Sequence, residues 1–171
     1  MQIKNAYQFC STCGANLKKD KYNNLACVKC SFVNYRNARP TATALIVLDN
    51  RILLVKRHNV PFKGWWDLPG GFVDRGETFE EAMRRELSEE LELKIRKIKF
   101  FGHFAGTYRS PVDSFHIITA VFIVTPRGKN ISVLDSEELT NVKWFLKKKL
   151  PGRIAFDSNQ KIIKAFLKTD N

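Results

Sequence analysis

The stretch from Gly71 to Leu93 constrains the fold and the chemistry more than any other part of this 171-residue chain. It holds a glycine-bounded turn and then a helix-forming segment rich in glutamate. Because helical positions i, i+3 and i+4 share one face, the carboxylates of Glu86, Glu89 and Glu90 are predicted to project together. Neighbouring carboxylates repel, so each resists ionisation. The pattern indicates either a solvated acidic face or a site for a divalent cation.

The spacing of this stretch resembles the Nudix box, G-x5-E-x7-R-E-U-x-E-E-x-G-U, in which U is a bulky apolar residue. The matching positions are Gly71, Glu77, Arg85, Glu86, Leu87, Glu89, Glu90 and Leu93. The one departure is Glu92, where the family usually has glycine. Glycine there commonly ends the helix in the left-handed conformation. Glu92 is therefore expected to cost about 1 kcal/mol or to force a different helix ending.

The resemblance implies an α/β/α sandwich with a mixed sheet and hydrolysis of a nucleoside diphosphate linked to another group. It implies that the three glutamates of the acidic face bind Mg²⁺ or Mn²⁺, with Glu90 foremost and Gly71 supplying a backbone carbonyl nearby. Such a cation neutralises the diphosphate and activates a water molecule. The resemblance also implies a salt bridge between Glu77 and Arg85 that orients the catalytic turn.

The general base stays open, because Nudix enzymes use either a box glutamate or a glutamate on a later loop. Glu137 and Glu138 lie just before the predicted strand that holds Trp144, where relatives often place the loop acid, and Glu138 is the candidate we carry forward. Both could equally be exposed loop charges. Asn141 stands where many relatives have glutamate, which weakens the late-loop assignment.

Substrate contacts are predicted from side-chain chemistry. Aromatic rings can stack on a base and arginines can bind phosphates, and the first candidates of this kind are Arg57, Trp66, Tyr108 and Arg109. Trp65 and Phe104 share the same chemistry. All six could also be core or surface residues. The three histidines show no metal-ligand spacing and are expected to be ordinary residues: His58, His103 and His116.

All four cysteines lie within the first 30 residues, as the pairs Cys10 with Cys13 and Cys27 with Cys30. Two C-x-x-C pairs at this separation are typical of a zinc ribbon, in which four thiolates bind one ion. The alternative is two disulfides, which a cytoplasmic protein disfavours. Four protein ligands leave no position for water, so the zinc is expected to be structural and to supply the stability that so short a segment lacks.

The pattern divides the chain into a zinc ribbon over 1–37 and a Nudix domain over 38–171. Thr78 as N-cap with Glu81 three residues later predicts a capping box and a helix over about 79–91. Apolar runs predict the other elements, with strands at 43–48, 52–55, 100–106, 114–124 and 142–145 and a final helix at about 158–167. Loops are predicted at 59–76 and 108–113.

The formal net charge of +12 predicts a surface that attracts phosphates and nucleotides, although lysine-rich surfaces also occur without such a role. No basic stripe is interleaved with stacking aromatics, so a nucleic-acid groove is not indicated. No apolar run approaches the ~20 residues of a membrane span, and the N-terminus lacks the apolar core of a secretory signal. A cytoplasmic protein is therefore expected.

A zinc ribbon ahead of a Nudix domain resembles the arrangement of NADH pyrophosphatases. Those enzymes also carry a Ser-Gln-Pro-Trp-Pro-Phe-Pro motif after the box, and the corresponding region here, 100–111, lacks it. The resemblance therefore favours ADP-ribose or a related nucleotide sugar, cleaved to AMP and a sugar phosphate. NADH and nucleoside triphosphates are alternative substrates, and a non-catalytic nucleotide- or RNA-binding module is an interpretation of another class. Family members are often dimers, which leaves a homodimer open.

Overall fold

The computed structural model describes residues 8–111 and 114–169. The chain divides into two compact units, the first ending at Ala38 and the second beginning at Arg39. Within the described residues, no helix combines the length and the apolar character needed to cross a membrane.

The first unit is a small antiparallel sheet in the order β1-β2-β3, formed by Leu17–Lys19, Leu25–Cys27 and Val33–Asn34. The turn that holds its first cysteine pair closes through a hydrogen bond of 2.9 Å from Gly14 N to Cys10 O. Gly14 has a φ of 72°, a left-handed conformation that glycine adopts at little cost. A glycine at this position therefore lets the chain turn back within the segment that holds the first cysteine pair.

The second unit is built on a mixed sheet of seven strands with two helices. Its elements are β4 Arg39–Leu48, β5 Arg51–Arg57, β6 Trp66–Asp67, β7 Gly70–Phe72, α1 Phe79–Glu90, β8 Ile95–Arg109, β9 Ser114–Pro126, β10 Leu139–Leu146 and α2 Asp157–Thr169. The sheet order is β10-β5-β4-β9-β8, with β6 added beside β5 and β7 beside β4. Strands β4 and β9 are parallel, and the other pairs are antiparallel.

Successive side chains of β4 alternate between two buried clusters, one packed against each helix. Ala44 and Ile46 belong to one buried cluster with Met83 of α1, whereas Leu45 belongs to a second buried cluster with Ile162 of α2. Successive side chains of a strand point to opposite faces, so the two helices cover opposite sides of the sheet. The predicted α/β/α sandwich is confirmed.

Helix α1 lies where the sequence predicts it. The Thr78 side chain accepts a hydrogen bond from Glu81 N at 3.3 Å, and Thr78 N donates to Glu81 Oε2 at 2.8 Å, which completes the capping box. The predicted helix over 79–91 is thus correct to one residue. The capping box sets the direction of α1 directly after the glycine turn.

The departure at Glu92 produces a different helix ending. Leu91 is extended, and Glu92 follows it as a partner of Ser132, with Glu92 N donating to Ser132 O at 3.0 Å and Ser132 Oγ donating to Glu92 Oε2 at 2.8 Å. Leu134 N donates to Glu90 O at 2.9 Å. Pairing with the chain near residue 133 therefore replaces the left-handed glycine as the end of α1.

Several strands are longer than the apolar pattern indicates. The predicted strand at 100–106 is β8, which extends to Arg109, so Tyr108 and Arg109 lie on a strand and not in a loop. The predicted loop at 59–76 contains β6 and β7. These segments are held by backbone pairing with β9, β5 and β4, which hydrophobic periodicity does not report.

Candidate functional site

One cavity of about 400 Å³ opens beside β7 and is lined by residues of both helices and most strands of the second unit. Its charged lining combines five carboxylates with two guanidinium groups: Asp67, Asp74, Glu86, Glu90, Glu138, Arg57 and Arg85. Such a concentration of acids in a concave site is typical of a cation site that also binds an anionic substrate.

Glu90 is one of two deeply buried carboxylates of the cavity, with only 6% of the residue exposed, as against 5% for Asp67. Its Oε2 accepts a hydrogen bond of 3.1 Å from the backbone N–H of Gly70. Burial raises the pKa of Glu90 well above its usual range, and the negative charges of Glu86, Asp67 and Glu138 raise that pKa further. A positive charge brought beside Glu90 would therefore be strongly favoured.

Gly70 and Gly71 are glycines for different steric reasons. Gly70 has a φ of 135°, and a Cβ there would collide with the backbone of Ala42. A Cβ on Gly71 would instead overlap the carboxylate of Glu86. The turn thus brings β7 into contact with the acidic face of α1, as only unsubstituted backbone can.

Glu86 lines the same cavity as Glu90. Its carboxylate is only 14% exposed, and its Oε1 accepts a hydrogen bond of 3.0 Å from Arg85 Nη1. Burial raises the pKa of Glu86 even though Arg85 acts in the opposite direction, and the charges of Glu89 and Glu138 add to the increase.

Arg85 connects the turn to the helix. Its Nε and Nη2 donate to the two carboxylate oxygens of Glu77 at 2.7 and 3.1 Å, and Nη2 also donates to Phe72 O at 3.0 Å. The Arg85 hydrogen bonds hold the pKa of Glu77 below its usual range. The predicted contact between Glu77 and Arg85 is present, and it fixes the turn between β7 and α1 in a bidentate geometry.

Glu89 differs from the other two glutamates of the acidic face. Its carboxylate is 55% exposed, accepts a hydrogen bond of 3.1 Å from Arg85 Nη1 and does not line the cavity. In the described part of the chain, the cysteines are the only group of three or more metal-binding side chains whose ligand atoms converge. The structure thus brings Glu86 and Glu90 together in the cavity, whereas Glu89 pairs with Arg85 and is not part of the cavity lining.

Of the two candidate loop acids, Glu138 lines the cavity and Glu137 does not. Asn141 also lies outside the cavity. Asp135 Oδ1 accepts hydrogen bonds from Glu137 N at 2.8 Å and from Glu138 N at 3.1 Å, which makes residues 135–138 a compact turn. This turn presents Glu138 toward the carboxylates of α1.

Arg57 is anchored at the cavity wall. Its Nη1 lies 3.0 Å from Asp67 Oδ2, its Nε donates to Pro61 O at 2.9 Å, and its guanidinium lies 5.0 Å from the ring centre of Phe156. Asn159 Nδ2 donates to the other carboxylate oxygen of Asp67. Burial raises the pKa of Asp67 to about 6 although the Arg57 charge opposes this increase.

Three aromatic side chains form another wall of the cavity: Phe72, Tyr108 and Phe156. The Tyr108 ring is stacked against both Phe156 and Phe115, with 5.7 and 5.0 Å between the ring centroids. Sequence reasoning found Tyr108 but missed Phe72 and Phe156. Phe72 follows the box glycine directly, which is a usable signal, whereas Phe156 has none because only the fold brings it near.

Four of the predicted substrate residues do not reach the cavity. Trp66 packs edge-on against Phe145 at 4.8 Å in the α2-side core, because β6 pairs with β5 and turns this ring away from the site. Trp65 contacts Phe62, Phe104 packs in the same α2-side core, and Arg109 is exposed. Arg57 and Tyr108 are the members of the predicted set that line the cavity.

The four cysteine sulfurs of the first unit lie within 4.8 Å of one another. The separations of 3.5 Å between Cys13 and Cys27 and of 3.7 Å between Cys10 and Cys30 are too long for S–S bonds of about 2.05 Å. They are close to the edge of a tetrahedron with metal–sulfur bonds of about 2.3 Å. Backbone N–H groups of Lys29 and Cys30 lower the pKa of Cys27 to about 6, which favours a thiolate ligand.

Comparison with known proteins adds independent findings. The NUDIX domain family model matches residues 38–166. An ADP-ribose pyrophosphatase from Methanocaldococcus jannaschii is 39% identical over 160 residues, which cover 91% of this chain and 90% of the relative. The human mitochondrial NAD(P)H pyrophosphatase NUDT13 is 28% identical over 141 residues, or 82% of this chain. This chain spans only 39% of the length of that human relative.

A solved structure is similar as well. The MutT NUDIX hydrolase from Burkholderia pseudomallei superposes with a TM-score of 0.66 and 27% sequence identity. The match covers 75% of this chain and 97% of the other. Over three quarters of this chain, the fold is therefore shared with a protein whose structure has been determined.

Proposed function

The chain belongs to the Nudix family of pyrophosphohydrolases, and we propose that it hydrolyses ADP-ribose or a related nucleotide sugar to AMP and a sugar phosphate. The observation that supports this choice of substrate is the 39% identity to an archaeal ADP-ribose pyrophosphatase along 90% of that enzyme's length. The similarity to the NAD(P)H pyrophosphatase spans only part of that longer protein, which makes NADH the second candidate.

The acidic side of the cavity fits a divalent cation. Glu86 and Glu90 offer hard oxygen ligands, and because burial raises the pKa of both carboxyls, a cation beside them would favour their ionised form. These two residues would hold Mg²⁺ or Mn²⁺ together with the backbone carbonyl of Gly71, and Glu89 would be the outermost ligand. The bound metal would neutralise the diphosphate and lower the pKa of water.

Glu138 is proposed as the general base. It lines the same cavity as Glu86 and Glu90, and its charge raises the pKa of both carboxyls, so it lies within electrostatic reach of the reaction centre. Glu138 would accept a proton from the water that attacks phosphorus. The P–O bond to the leaving phosphate would then break, which leaves AMP and the sugar phosphate as products.

The opposite side of the cavity fits the substrate. Arg57 would contact a phosphate group, because its ion pair with Asp67 and its contact with Phe156 hold the guanidinium in a fixed position. The adenine base would pack against the aromatic wall formed by Phe72, Tyr108 and Phe156. A 400 Å³ cavity matches the size range of small-molecule sites.

The cysteine cluster of the first unit is proposed to hold a structural zinc ion. Four thiolate ligands complete a tetrahedron and leave no position for water or substrate. The unit has one three-stranded sheet and few buried apolar residues, so the metal would contribute most of its folding free energy.

The test is a substrate panel with the purified full-length chain. ADP-ribose, NADH, FAD, dinucleoside polyphosphates and nucleoside triphosphates are each incubated with Mg²⁺ or Mn²⁺, and the products are identified by chromatography. We expect AMP and ribose 5-phosphate from ADP-ribose, with slower cleavage of NADH. Fast cleavage of NADH would favour the second candidate. Binding of nucleotides without turnover of any substrate would favour a non-catalytic module.

Glu90→Gln provides the matched control for that panel. The substitution keeps the shape of the side chain and removes the charge, so turnover should fall at least 100-fold while nucleotide binding remains. Ser88→Ala, on the exposed side of the same helix, should retain full activity. Full turnover by Glu90→Gln would overturn the proposed cation site.

A further inference from the structure

The turn of residues 135–138 is held from outside by the segment that follows strand β5. Pairing between β5 and β10 ends at Arg57 opposite Leu139, and the next two residues of the β5 side continue the contact through one backbone N–H and two side chains. The His58 backbone N–H donates to Glu138 O at 2.8 Å. Asn59 Nδ2 donates to Glu137 O at 2.8 Å.

The side chain of His58 makes the third of these contacts, with Nδ1 lying 2.9 Å from Ser136 O. A carbonyl oxygen can only accept a hydrogen bond, so Nδ1 of His58 must carry the proton in this contact. Three successive carbonyls of the turn therefore each have a donor from His58 or Asn59. The inner side of the turn is closed separately by Asp135, whose carboxylate accepts from two N–H groups and whose backbone O accepts from Leu139 N.

We infer that His58 is a positioning residue of the active site, which holds the 135–138 turn so that the Glu138 carboxylate stays in the cavity. The inference rests on the proposed function, in which Glu138 is the base. His58 does not line the cavity itself, so any effect it has on the reaction must pass through the turn.

Geometry explains why such support is needed. Glu138 is exposed and projects from a four-residue turn, so the position of its carboxylate depends on how that turn is held. A shift of about 1 Å at a reacting group can reduce turnover about 100-fold. Removing a hydrogen bond that orients a catalytic group without touching the substrate typically lowers activity 10- to 100-fold.

The experiment compares His58→Ala, His58→Asn and the control His103→Ala in the full-length chain. We expect kcat for ADP-ribose to fall about 10-fold in His58→Ala with KM nearly unchanged, because substrate contacts are intact. The Nδ2 of asparagine can replace the Nδ1 donor, so His58→Asn should recover at least half of the wild-type kcat. His103 is an exposed histidine on β8 outside the cavity, and its substitution should change neither parameter.

Hydrogen exchange provides a readout that does not depend on turnover. Amides of residues 135–139 should exchange faster in His58→Ala than in the wild type or in His103→Ala, because the turn opens more often. An unchanged kcat together with unchanged exchange would overturn the inference, and so would a His58→Asn variant as slow as His58→Ala. If the wild type cleaves none of the panel, the proposed function fails, while the exchange data still decide whether His58 holds the turn.

Discussion

Gly71 lies so close to Glu86 that a Cβ atom on Gly71 would overlap the glutamate carboxylate. Gly71 does not have a left-handed backbone, so alanine is compatible with its conformation and only the contact with Glu86 opposes it. Gly71→Ala should therefore displace Glu86 and reduce turnover about 10- to 100-fold, with a higher Mg²⁺ requirement. Steady-state rates over a Mg²⁺ titration measure both effects.

Gly152→Ala is the control for that substitution, since an added Cβ there meets no atom within 4 Å and the backbone is not left-handed. It should leave turnover and the Mg²⁺ requirement unchanged. Wild-type kinetics in Gly71→Ala would mean that Glu86 can move without consequence, which contradicts its proposed role as a metal ligand.

Glu90→Gln should stabilise the protein in EDTA at pH 7 while abolishing turnover. Because burial raises the pKa of Glu90, the folded state prefers the protonated carboxyl. The stability from this group is complete below the unfolded pKa and is lost as pH rises through the folded pKa. The neutral amide avoids this loss, and each kcal/mol gained raises Tm by about 2–4 °C. Thermal unfolding of both forms at pH 5 and pH 7.5 tests the sign, and a larger benefit at pH 5 would contradict it.

Glu138→Gln should slow hydrolysis of ADP-ribose at least 100-fold at saturating metal, because the amide cannot accept the proton from water. Its neighbour Glu137 has the same charge but lies outside the cavity, so Glu137→Gln should retain normal activity. Measurement of kcat for the two variants side by side decides between a loop base and a base within the box. Equal activity in both would move the role to a glutamate of α1.

Tyr108→Leu should raise KM for ADP-ribose about 10-fold, since contact of a base with an aromatic side chain contributes about 1–3 kcal/mol. Leucine keeps most of the packing against Phe115 and Phe156, so the fold is preserved. Arg109, the next residue on β8, is exposed and outside the cavity, so Arg109→Ala should leave KM unchanged. An equal effect of both substitutions would mean that the base binds elsewhere.

Cys27→Ser should remove the proposed zinc ion from the first unit. The purified wild type is expected to contain about one zinc per chain by elemental analysis, and the variant little or none, because serine is a poor ligand for zinc. Val28→Ser alters the adjacent exposed side chain and should keep the metal. Zinc content in Cys27→Ser equal to the wild type would exclude a site that uses all four cysteines.

Local sequence patterns predicted the elements that depend on interactions between residues close together in the chain. The capping box at Thr78 and Glu81 located α1 because both partners lie within one helical turn. The Cys pairs predicted a metal site because two tight turns place the sulfurs regardless of the rest of the chain. Strand ends were predicted less well, as β8 shows, because backbone pairing with β9 extends it through residues without a hydrophobic pattern.

The amino-acid sequence by itself determined which carboxylates share one face of α1, since their spacing on the helix sets that face. Only the tertiary structure decided their surroundings. Burial separates Glu90 from exposed Glu89, although the two are neighbours in the chain. Pairing of β6 with β5 removes Trp66 from the site, and α2 brings Phe156 into it. Burial and contact depend on chain segments far apart in sequence, and no local pattern records them.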